Sequence, residues 1–351
     1  MGWMTALSLP RAELDGGCVD CRGMSIFVLA APLWGWLLIH SAVMERILPH
    51  VTNETGRLKT VVLGLPYSIG PIPTLQETYD AKSYEAVQLG CFPSQADIIH
   101  EMDAVLAVLE RYGVEVLRPA PLEDYNQVFA RDVAFTIEDT LFISNLIPDR
   151  GLETEAFGRS VFPRIAEGHL ETLPERVHTE GGDILLYDDI IFVGTYLGED
   201  YPSYKTARTN HYALDWFRER FPHKQIIPIE LRKHDHDPRQ SVLHLDCAFQ
   251  PVSRGRALIY PEGFMHQRDV ALMEEIFGKD QLFRVTPDEA YHMSTNVVSL
   301  SPEALISDRH FVRLNEHLRS VWGMTVEEVP YQEISKMGGL LRCSTMPLRR
   351  E

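Results

Sequence analysis

The pattern of apolar and polar positions repeats along the chain. At four places an acid or amide is followed by an apolar run, a short turn and a second apolar run, which is typical of a β-hairpin. These segments begin at Asp132, Asp183, Asp246 and Asn296, at intervals of 51, 63 and 50 residues. A further step of 47 residues reaches Cys343. Such periodicity indicates an architecture built from one repeated unit.

A helix and one more strand follow each predicted hairpin. The segment 209–221 is amphipathic, with Thr209 or Asn210 available as its N-cap, and the strand-like QIIPIEL comes next. The segment 308–323 also has one apolar face, with Asp308 as its predicted cap. The predicted unit is therefore strand, strand, helix, strand.

The fifth unit lacks its second half, and the N-terminal part of the chain supplies the missing elements. These are a strand over 58–65, a helix from Ser94 to about Tyr112, and the strand-like VEVLRP. Pairing of the last strand with the first would close the units into a ring and protect the strand edges. The sequence thus predicts an α/β fold, a five-bladed α/β-propeller closed by its C-terminal and N-terminal strands.

The five residues that lead the units should meet near the axis of such a ring. Three are aspartates, one is Asn296 and one is Cys343. Acidic side chains gathered in a buried place repel one another unless a cation lies between them. The alternative is that they are five polar residues that only cap the turns before the strands.

Composition and charge narrow the function. Of 351 residues 45% are apolar and 24% charged, as in ordinary globular proteins, and the net charge of −17 argues against a nucleic-acid partner. The five scattered cysteines form no disulfide framework and indicate a reducing compartment, so we expect a cytoplasmic protein. Cys18 and Cys21 form a C-x-x-C without a second ligand pair at zinc spacing.

The N-terminal residues need a separate interpretation. Residues 26–39 are an uninterrupted apolar run, short for a membrane span and without a basic segment before it. Three interpretations are open: an extension upstream of a start at Met44, an atypical signal or anchor, or a helix packed on the domain. We favour the first, with 1–43 as an extension that need not belong to the mature protein and 44–351 as a single domain. A membrane partner is expected only if 26–39 is an anchor.

Six short motifs lie in register with the repeat: FARD (129–132), EGGD (180–183), RTN (208–210), LHLD (243–246), STN (294–296) and GGLLRC (338–343). Each is weak alone, but their order and spacing are specific. From about Gly56 to its end the chain resembles the guanidine-modifying enzymes of the pentein fold: arginine deiminases, dimethylarginine dimethylaminohydrolases and arginine amidinotransferases. The resemblance implies a single catalytic domain with the five-bladed propeller.

The resemblance also implies catalytic roles. Cys343 fills the position of the nucleophile that attacks the guanidino carbon as a thiolate. His244 matches the general acid and base, and Glu180 would orient it. His244 stands two residues before Asp246, so on an extended strand both side chains share one face. The alternative for a single histidine in a strand is a structural role.

Further positions match the family's substrate contacts. Asp132 and Asp246 match the carboxylates that clamp the substrate guanidinium, and Asp183 is either another such contact or a structural cap. Arg208 and Arg150 match arginines that hold the substrate α-carboxylate, and the alternative for each is an ordinary surface arginine.

Some positions depart from the family's patterns. Arg131 stands where the dimethylarginine enzymes tend to carry an acid, and Arg342 where deiminases and amidinotransferases carry histidine. The dimethylarginine enzymes carry lysine at the position of Asp246. A carboxylate there needs free N–H groups on the substrate, so Asp246 favours an unmethylated guanidinium. Glu180 resembles the hydrolases, because the amidinotransferases place aspartate there. The charged stretch 233–237 is interpreted as a solvated loop rather than a metal site.

We therefore expect a cysteine-dependent hydrolase that cleaves the guanidino group of free arginine or an arginine derivative through a covalent amidino-cysteine intermediate. No metal and no cofactor are expected. An amidinotransferase that moves the amidino group to an amine is the first alternative, and a non-catalytic binding protein on the same fold is the second. The expected partner is an arginine-like small molecule, and a homo-oligomer is compatible with the sequence.

The interpretation of the N-terminal residues gives a first prediction. A protein that starts at Met44 should fold with the melting temperature of the full chain, because residues 1–43 are expected to contribute nothing to the core. Thermal unfolding of both forms tests this, and a large loss of stability in the shorter form would show that the apolar run packs on the domain.

Overall fold

The computed structural model describes residues 46–351. The predictions for residues 1–43, including the apolar run 26–39 and the C-x-x-C, lie outside this part, and a single domain over 44–351 stays a prediction. The strands are β1 Leu58–Leu63, β2 Glu115–Leu117, β3 Ala134–Ile137, β4 Thr140–Ile143, β5 Leu170–Thr172, β6 Ile184–Tyr187, β7 Ile190–Thr195, β8 Gln225–Glu230, β9 Phe249–Ser253, β10 Arg256–Ile259, β11 Leu282–Arg284, β12 Val298–Ser301, β13 Ala304–Asp308, β14 Thr325–Val329 and β15 Thr345–Arg350. The helices are α1 Ala81–Gln88, α2 Gln95–Arg111, α3 Gly151–Ser160, α4 His211–Arg220, α5 Gln267–Phe277, α6 Pro287–Tyr291, α7 Val312–Ser320 and α8 Gln332–Ser335.

The strands form five three-stranded sheets of one common pattern. Their orders are β15-β1-β2, β3-β4-β5, β6-β7-β8, β9-β10-β11 and β12-β13-β14. In every sheet the middle strand pairs antiparallel with one neighbour and parallel with the other. Because a parallel connection needs a crossover, a helix precedes each parallel third strand. The α/β class and the predicted unit of strand, strand, helix, strand are present, and each sheet is open.

The first sheet joins the two ends of the described chain. β15 pairs antiparallel with β1, from Leu63 opposite Thr345 to Leu58 opposite Arg350, as the incomplete fifth unit predicts. Side-chain hydrogen bonds also connect strands of different sheets. Thr136 Oγ1 in β3 donates to Pro347 O in β15 at 3.0 Å, and Ser299 Oγ in β12 donates to Val252 O in β9 at 3.3 Å.

Most helix limits follow the sequence signals, and one does not. Ser94 caps α2 and Asn210 caps α4, each accepting a backbone N–H with its side chain. The prediction that Asp308 caps α7 is wrong, because Asp308 is the buried last residue of β13 and α7 begins at Val312. Its Oδ2 accepts the N–H of Tyr331 at 2.7 Å, so its carboxylate is used in a contact with a distant loop.

Some strands are buried on both faces, which explains their largely apolar sequences. Every residue of β3 and β9 is buried, and so is every residue of β13. None of the helices within residues 46–351 combines the length and apolar character that a bilayer crossing requires.

The pairing of β15 with β1 yields a prediction on stability. Met346 in β15 is fully buried in a cluster with Val62 and Leu141, so Met346→Ala should lower the free energy of unfolding by about 2–5 kcal/mol. Met265 is 45% exposed, and Met265→Ala should change it by less than about 0.5 kcal/mol. Urea unfolding measures both, and equal losses would contradict the packing described for β15.

Candidate active site

The five lead residues lie at the start of the first strand of each sheet and are all buried. Their exposed fractions are 2% or less: Asp132, Asp183, Asp246, Asn296 and Cys343. Three of them belong to a short 3-10 turn that comes directly before its strand or one residue before it: Asp132 and Asp183 end their turns, and Asp246 is the middle residue of its turn. A buried polar group at such a turn needs a partner, and each of these residues has at least one.

Hydrogen bonds connect the start of each unit to the start of the next and return to the first. In all five a lead residue is the acceptor; four of the donors are backbone N–H groups, and the fifth is the hydroxyl of Thr295. The bonds are Arg131 N–H to Cys343 O (2.9 Å), Gly182 N–H to Asp132 Oδ1 (3.2 Å), Leu245 N–H to Asp183 Oδ1 (3.0 Å), Thr295 Oγ1 to Asp246 O (3.0 Å) and Cys343 N–H to Asn296 Oδ1 (3.1 Å).

Cys343 has a free thiol in a polar pocket of the core. Its Sγ accepts the amide N–H of Asn296 at 3.2 Å and lies 3.7 Å from Asp246 Oδ2. A second free thiol, Cys247, donates to Asp246 Oδ1 at 3.4 Å. Its hydrogen bond with Cys343 and its burial hold the pKa of Cys247 well above the usual range, so Cys247 remains protonated at neutral pH.

His244 is fully buried between two carboxylates. Its Nε2 lies 2.9 Å from Glu180 Oε2, and its Nδ1, which has no hydrogen-bond partner, lies 3.6 Å from Asp132 Oδ1. Burial alone would lower the pKa of His244, but Asp132 and the hydrogen bond with Glu180 raise it to about 9. The side chain of His244 is therefore a positively charged imidazolium at neutral pH.

Arg150 and Arg208 are buried within the same cluster. Arg150 binds Asp132 Oδ2 at 2.6 Å and pairs through two nitrogens with Glu153. Arg208 donates to Glu180 Oε2 at 2.7 Å and to the backbone carbonyl of Tyr79 at 2.8 Å. Burial would raise the pKa of Glu180, but Arg208 and then His244 hold it well below the usual range.

Arg342 supplies the cation beside Asp246. Its Nη1 donates to Asp246 Oδ2 at 2.9 Å, and its Nε and Nη2 bind both oxygens of Glu54 at 3.2 and 3.0 Å. Burial would raise the pKa of Glu54, but Arg342 and then Arg131 lower it to about 2. The carboxylates gathered here are thus neutralised by arginine side chains of the protein itself.

Asp183 is held by the protein on both of its oxygens. Oδ2 accepts the hydroxyl of Thr209 at 2.6 Å, and Oδ1 accepts the backbone N–H of Leu245. A Cβ at Gly194 would lie 2.3 Å from Oδ1, so only glycine leaves room for this carboxylate. This geometry favours the structural cap over a direct contact with a substrate.

Two groups of potential metal ligands occur within residues 46–351, and both are parts of this site. They are Asp246, Cys247 and Cys343, and Asp132, Glu180 and His244. The stretch 233–237 is a loop, as expected, although it is not fully solvated. Lys233 is buried and donates to the carbonyls of Val242 and Leu243 at 2.9 and 2.8 Å.

The structure brings the sequence-predicted residues together and adds others. Asn296 binds both the N–H and the thiol of Cys343, and the repeat pointed to its position without giving it a role. Cys247 follows the LHLD motif directly, but nothing in the sequence placed its thiol near Cys343. Glu54 lies before the first strand in no motif, so only the fold reveals its pairing with Arg342.

Several known proteins resemble the chain in sequence. Residues 92–350 match the family model described as "N,N dimethylarginine dimethylhydrolase, eukaryotic". The uncharacterized protein YkgA of Bacillus subtilis is 32% identical over 303 residues, which cover 85% of this chain and 94% of YkgA. An arginine deiminase of Latilactobacillus sakei is 24% identical and is matched over 64% of this chain and 62% of its own length.

Solved structures show a similar fold. The inosamine-phosphate amidinotransferase StrB1 of Streptomyces griseus has a TM-score of 0.67 at 17% identity, covering 87% of this chain and 97% of StrB1. The N-terminal domain of the cyanobacterial arginine dihydrolase ArgZ has a TM-score of 0.66 at 17% identity, covering 83% of this chain and 97% of that domain. With the match of the family model over most of its length, the chain belongs to the N,N-dimethylarginine dimethylhydrolase family within the guanidine-modifying pentein superfamily.

Proposed function

We propose that the protein is a cysteine-dependent hydrolase of the guanidino group of free arginine or a close derivative. The observation that carries this proposal is one buried network in which the thiol of Cys343, the protonated His244 and the carboxylates Asp132 and Asp246 meet. A guanidinium carbon is a poor electrophile, so its attack needs a strong nucleophile, a fixed plane and a proton for the departing nitrogen.

The proposed first half-reaction forms a bond between sulfur and carbon. The Cys343 thiolate adds to the guanidino carbon, the bond from that carbon to a terminal nitrogen breaks, and His244 gives its proton so that ammonia leaves. Water then adds to the same carbon while His244 accepts a proton from it. The carbon–sulfur bond breaks, the second proton of the water is released to the solvent, and citrulline and the free thiolate result.

Asp132 and Asp246 are proposed to fix the plane of the guanidinium. Both are nearly inaccessible to solvent, and both are already paired with protein arginines, Asp132 with Arg150 and Asp246 with Arg342. A substrate guanidinium would therefore share these carboxylates through their remaining lone pairs. Because methyl groups on the substrate nitrogens would remove N–H donors, the pair of carboxylates supports an unmethylated guanidinium as substrate.

Arg208 is the better candidate of the two proposed ligands for the α-carboxylate. A guanidinium has five N–H donors. Arg208 directs three of them to Lys205 O, Glu180 and Tyr79 O, which leaves two. Arg150 directs four of them to Asp132, Phe129 O and the two oxygens of Glu153, which leaves one.

Hydrolysis is favoured over amidino transfer by residue identities rather than by the fold. Amidinotransferase and dihydrolase structures resemble the chain about equally, with TM-scores of 0.67 and 0.66. The matching family model describes hydrolases, the more similar relatives with a described activity are arginine deiminases, and Glu180 resembles the hydrolases. Amidino transfer to an amine is the alternative.

We also propose that the five sheets are the blades of an α/β-propeller around this site. The hydrogen bonds that connect the starts of consecutive units support this arrangement. So do the contacts of β15 with β3 and of β1 with β12, which bring the first sheet next to the second and the fifth.

The reaction products give the main test. With arginine alone the protein should form citrulline and ammonia, and added glycine should neither accelerate nor divert the reaction. Acid quenching during turnover should trap Cys343 with an adduct that keeps the amino-acid chain, because the terminal nitrogen has left. Intact-mass analysis checks this, and Cys343→Ser should show neither adduct nor turnover.

Other products would contradict this assignment in defined ways. A bare amidino group on Cys343, with ornithine formed when an amine is supplied, would identify a transferase. Faster turnover of dimethylarginine than of arginine would leave the assignment as a hydrolase unchanged, but it would make the methylated compound the preferred substrate. Full activity of Cys343→Ser would exclude the covalent mechanism.

The raised pKa of His244 predicts the pH dependence. The imidazolium must give a proton to the leaving ammonia, so kcat/KM for arginine should fall as pH rises through about 9. Glu180→Gln removes the carboxylate that stabilises the imidazolium and should shift this limb to lower pH by about one unit.

Glu155→Gln is the matched control, because Glu155 lies on the exposed side of α3 and pairs only with Arg159. It should leave the pH profile unchanged. An alkaline limb near pH 6.5 in the native protein, or the same limb in Glu180→Gln, would contradict the proposed proton donor. NMR titration of the His244 ring gives the same midpoint without relying on turnover.

A further inference from the structure

A cavity of about 160 Å³ lies beside the candidate active site. Asp80, Tyr260 and Gly338 are among the residues that line it, and so is Cys247. The thiols of Cys247 and Cys343 lie within 4.8 Å of each other, so the wall of the cavity reaches the immediate surroundings of the proposed nucleophile. The sequence motifs do not account for this cavity.

Asp80 is the unexplained group in its wall. The residue is 3% exposed, its Oδ1 accepts the N–H of Ser83 at 2.8 Å, and its Oδ2 has no hydrogen-bond partner. Among residues 46–351 no lysine, arginine or histidine nitrogen comes within 4.0 Å of its carboxylate. The nearby ammonium of Lys82 lies over the ring of Tyr291, 3.5 Å from its centroid. An ionised buried carboxylate without a cation is costly, so a cationic ligand would stabilise it.

The role of Asp80 as the N-cap of α1 does not account for its charge. A cap needs one side-chain oxygen that accepts a backbone N–H, and serine or asparagine provides it equally well without a charge. Burial raises the pKa of Asp80, although the hydrogen bonds with Ser83 and the charge of Arg208 act in the opposite direction. The second oxygen has no hydrogen-bond partner, and Asp80 is part of the cavity wall.

Two adjacent glycines bring Asp80 close to Cys343. A Cβ at Gly338 would lie 2.3 Å from Asp80 Cγ, and a Cβ at Gly339 would lie 2.9 Å from Cys343 Cβ. Since consecutive Cα atoms are about 3.8 Å apart, the carboxylate and the thiol are separated by a distance on the order of 10 Å. The α-nitrogen and the guanidino carbon of an arginine are about 6 Å apart, so one molecule can reach both groups.

Arg208 lies next to Asp80 through the backbone. Its Nη2 donates to the carbonyl of Tyr79, the residue directly before Asp80, and two of its N–H groups remain free of protein partners. An anionic acceptor and a cationic donor are therefore neighbours in this part of the fold. This pairing matches the ammonium and the carboxylate of one α-amino acid.

We propose that Asp80 binds the α-ammonium group of the substrate in this cavity and makes the enzyme specific for free α-amino acids with a guanidino side chain. The inference rests on the proposed function and assigns a specificity residue to it. Asp80 does not contact the reacting carbon, so its contribution is to binding. Guanidino compounds without an α-ammonium, such as 5-guanidinopentanoate, should therefore bind weakly.

Asp80→Asn keeps the cap and removes the charge. It should raise KM for L-arginine by about 10- to 100-fold, the loss expected for a charge-assisted hydrogen bond, and leave kcat nearly unchanged. The KM for 5-guanidinopentanoate should stay the same, because this substrate never uses Asp80. Asp97→Asn is the matched control: Asp97 lies in the first turn of α2, is exposed, and should change neither constant.

Asp80→Ser is a second variant that tests whether a change in KM comes from misfolding. Like Asp80→Asn, it keeps a side-chain oxygen that can accept the N–H of Ser83. Both variants should melt at the temperature of the native protein and show the same change in KM. If KM for arginine is unaffected in both while arginine is still hydrolysed, or if kcat falls instead of KM rising, the assignment of Asp80 is wrong and the proposed function stands.

A binding measurement separates the inference from the reaction. L-Ornithine has an α-ammonium but no guanidino group, and calorimetry with the full chain should show that it binds more tightly than 5-aminopentanoate. Loss of this preference in Asp80→Asn supports the inference even if no guanidino compound is turned over, in which case only the proposed hydrolysis fails. Equal binding of the two compounds by the native protein overturns the inference.

Discussion

The rest of the site depends on one kind of hydrogen bond. In it, a side-chain oxygen of one unit accepts a backbone N–H at the start of the next unit. Asp132 accepts from the unit that begins at Asp183, and Asn296 accepts from the N–H of Cys343. A buried N–H without a partner is costly, so each of these oxygens holds the neighbouring unit in one position. The side chains that converge at the centre are therefore placed by the same contacts that join the units.

The convergence of these side chains has an electrostatic cost, which arginine side chains offset. Several carboxylates come together in the buried centre, and Arg150, Arg208 and Arg342 pair with Asp132, Glu180 and Asp246 in turn. Removal of one partner from such a pair leaves an uncompensated charge in the core. Residues with proposed chemical roles are thus also structural, and changes at these positions affect stability and reactivity together.

The sequence anticipated the repeated unit and most of the convergent residues, because each hairpin shows its lead residue and its apolar strands locally. The same local signals do not show which residues become hydrogen-bond partners in the folded protein. Asp308 has the sequence position of a helix cap, yet its carboxylate binds the N–H of Tyr331 in a distant loop. Glu54 shows no local signal at all, because its partners, Arg342 and the N–H of Leu186, lie far from it in the sequence. The partners of Arg150 and Arg208 likewise come from the fold, because Asp132 and Glu180 lie 18 and 28 residues before them in the chain.

The pairing of β15 with β1 also has a kinetic consequence. These strands stand at opposite ends of the described chain, so the loop between them includes nearly all of the protein, and its closure entropy must be overcome before their contacts stabilise anything. The other four sheets can assemble from residues much closer in sequence. The segment that holds Cys343 leads directly into β15, so a folding intermediate with four finished sheets would keep an incomplete, inactive centre until the two ends meet.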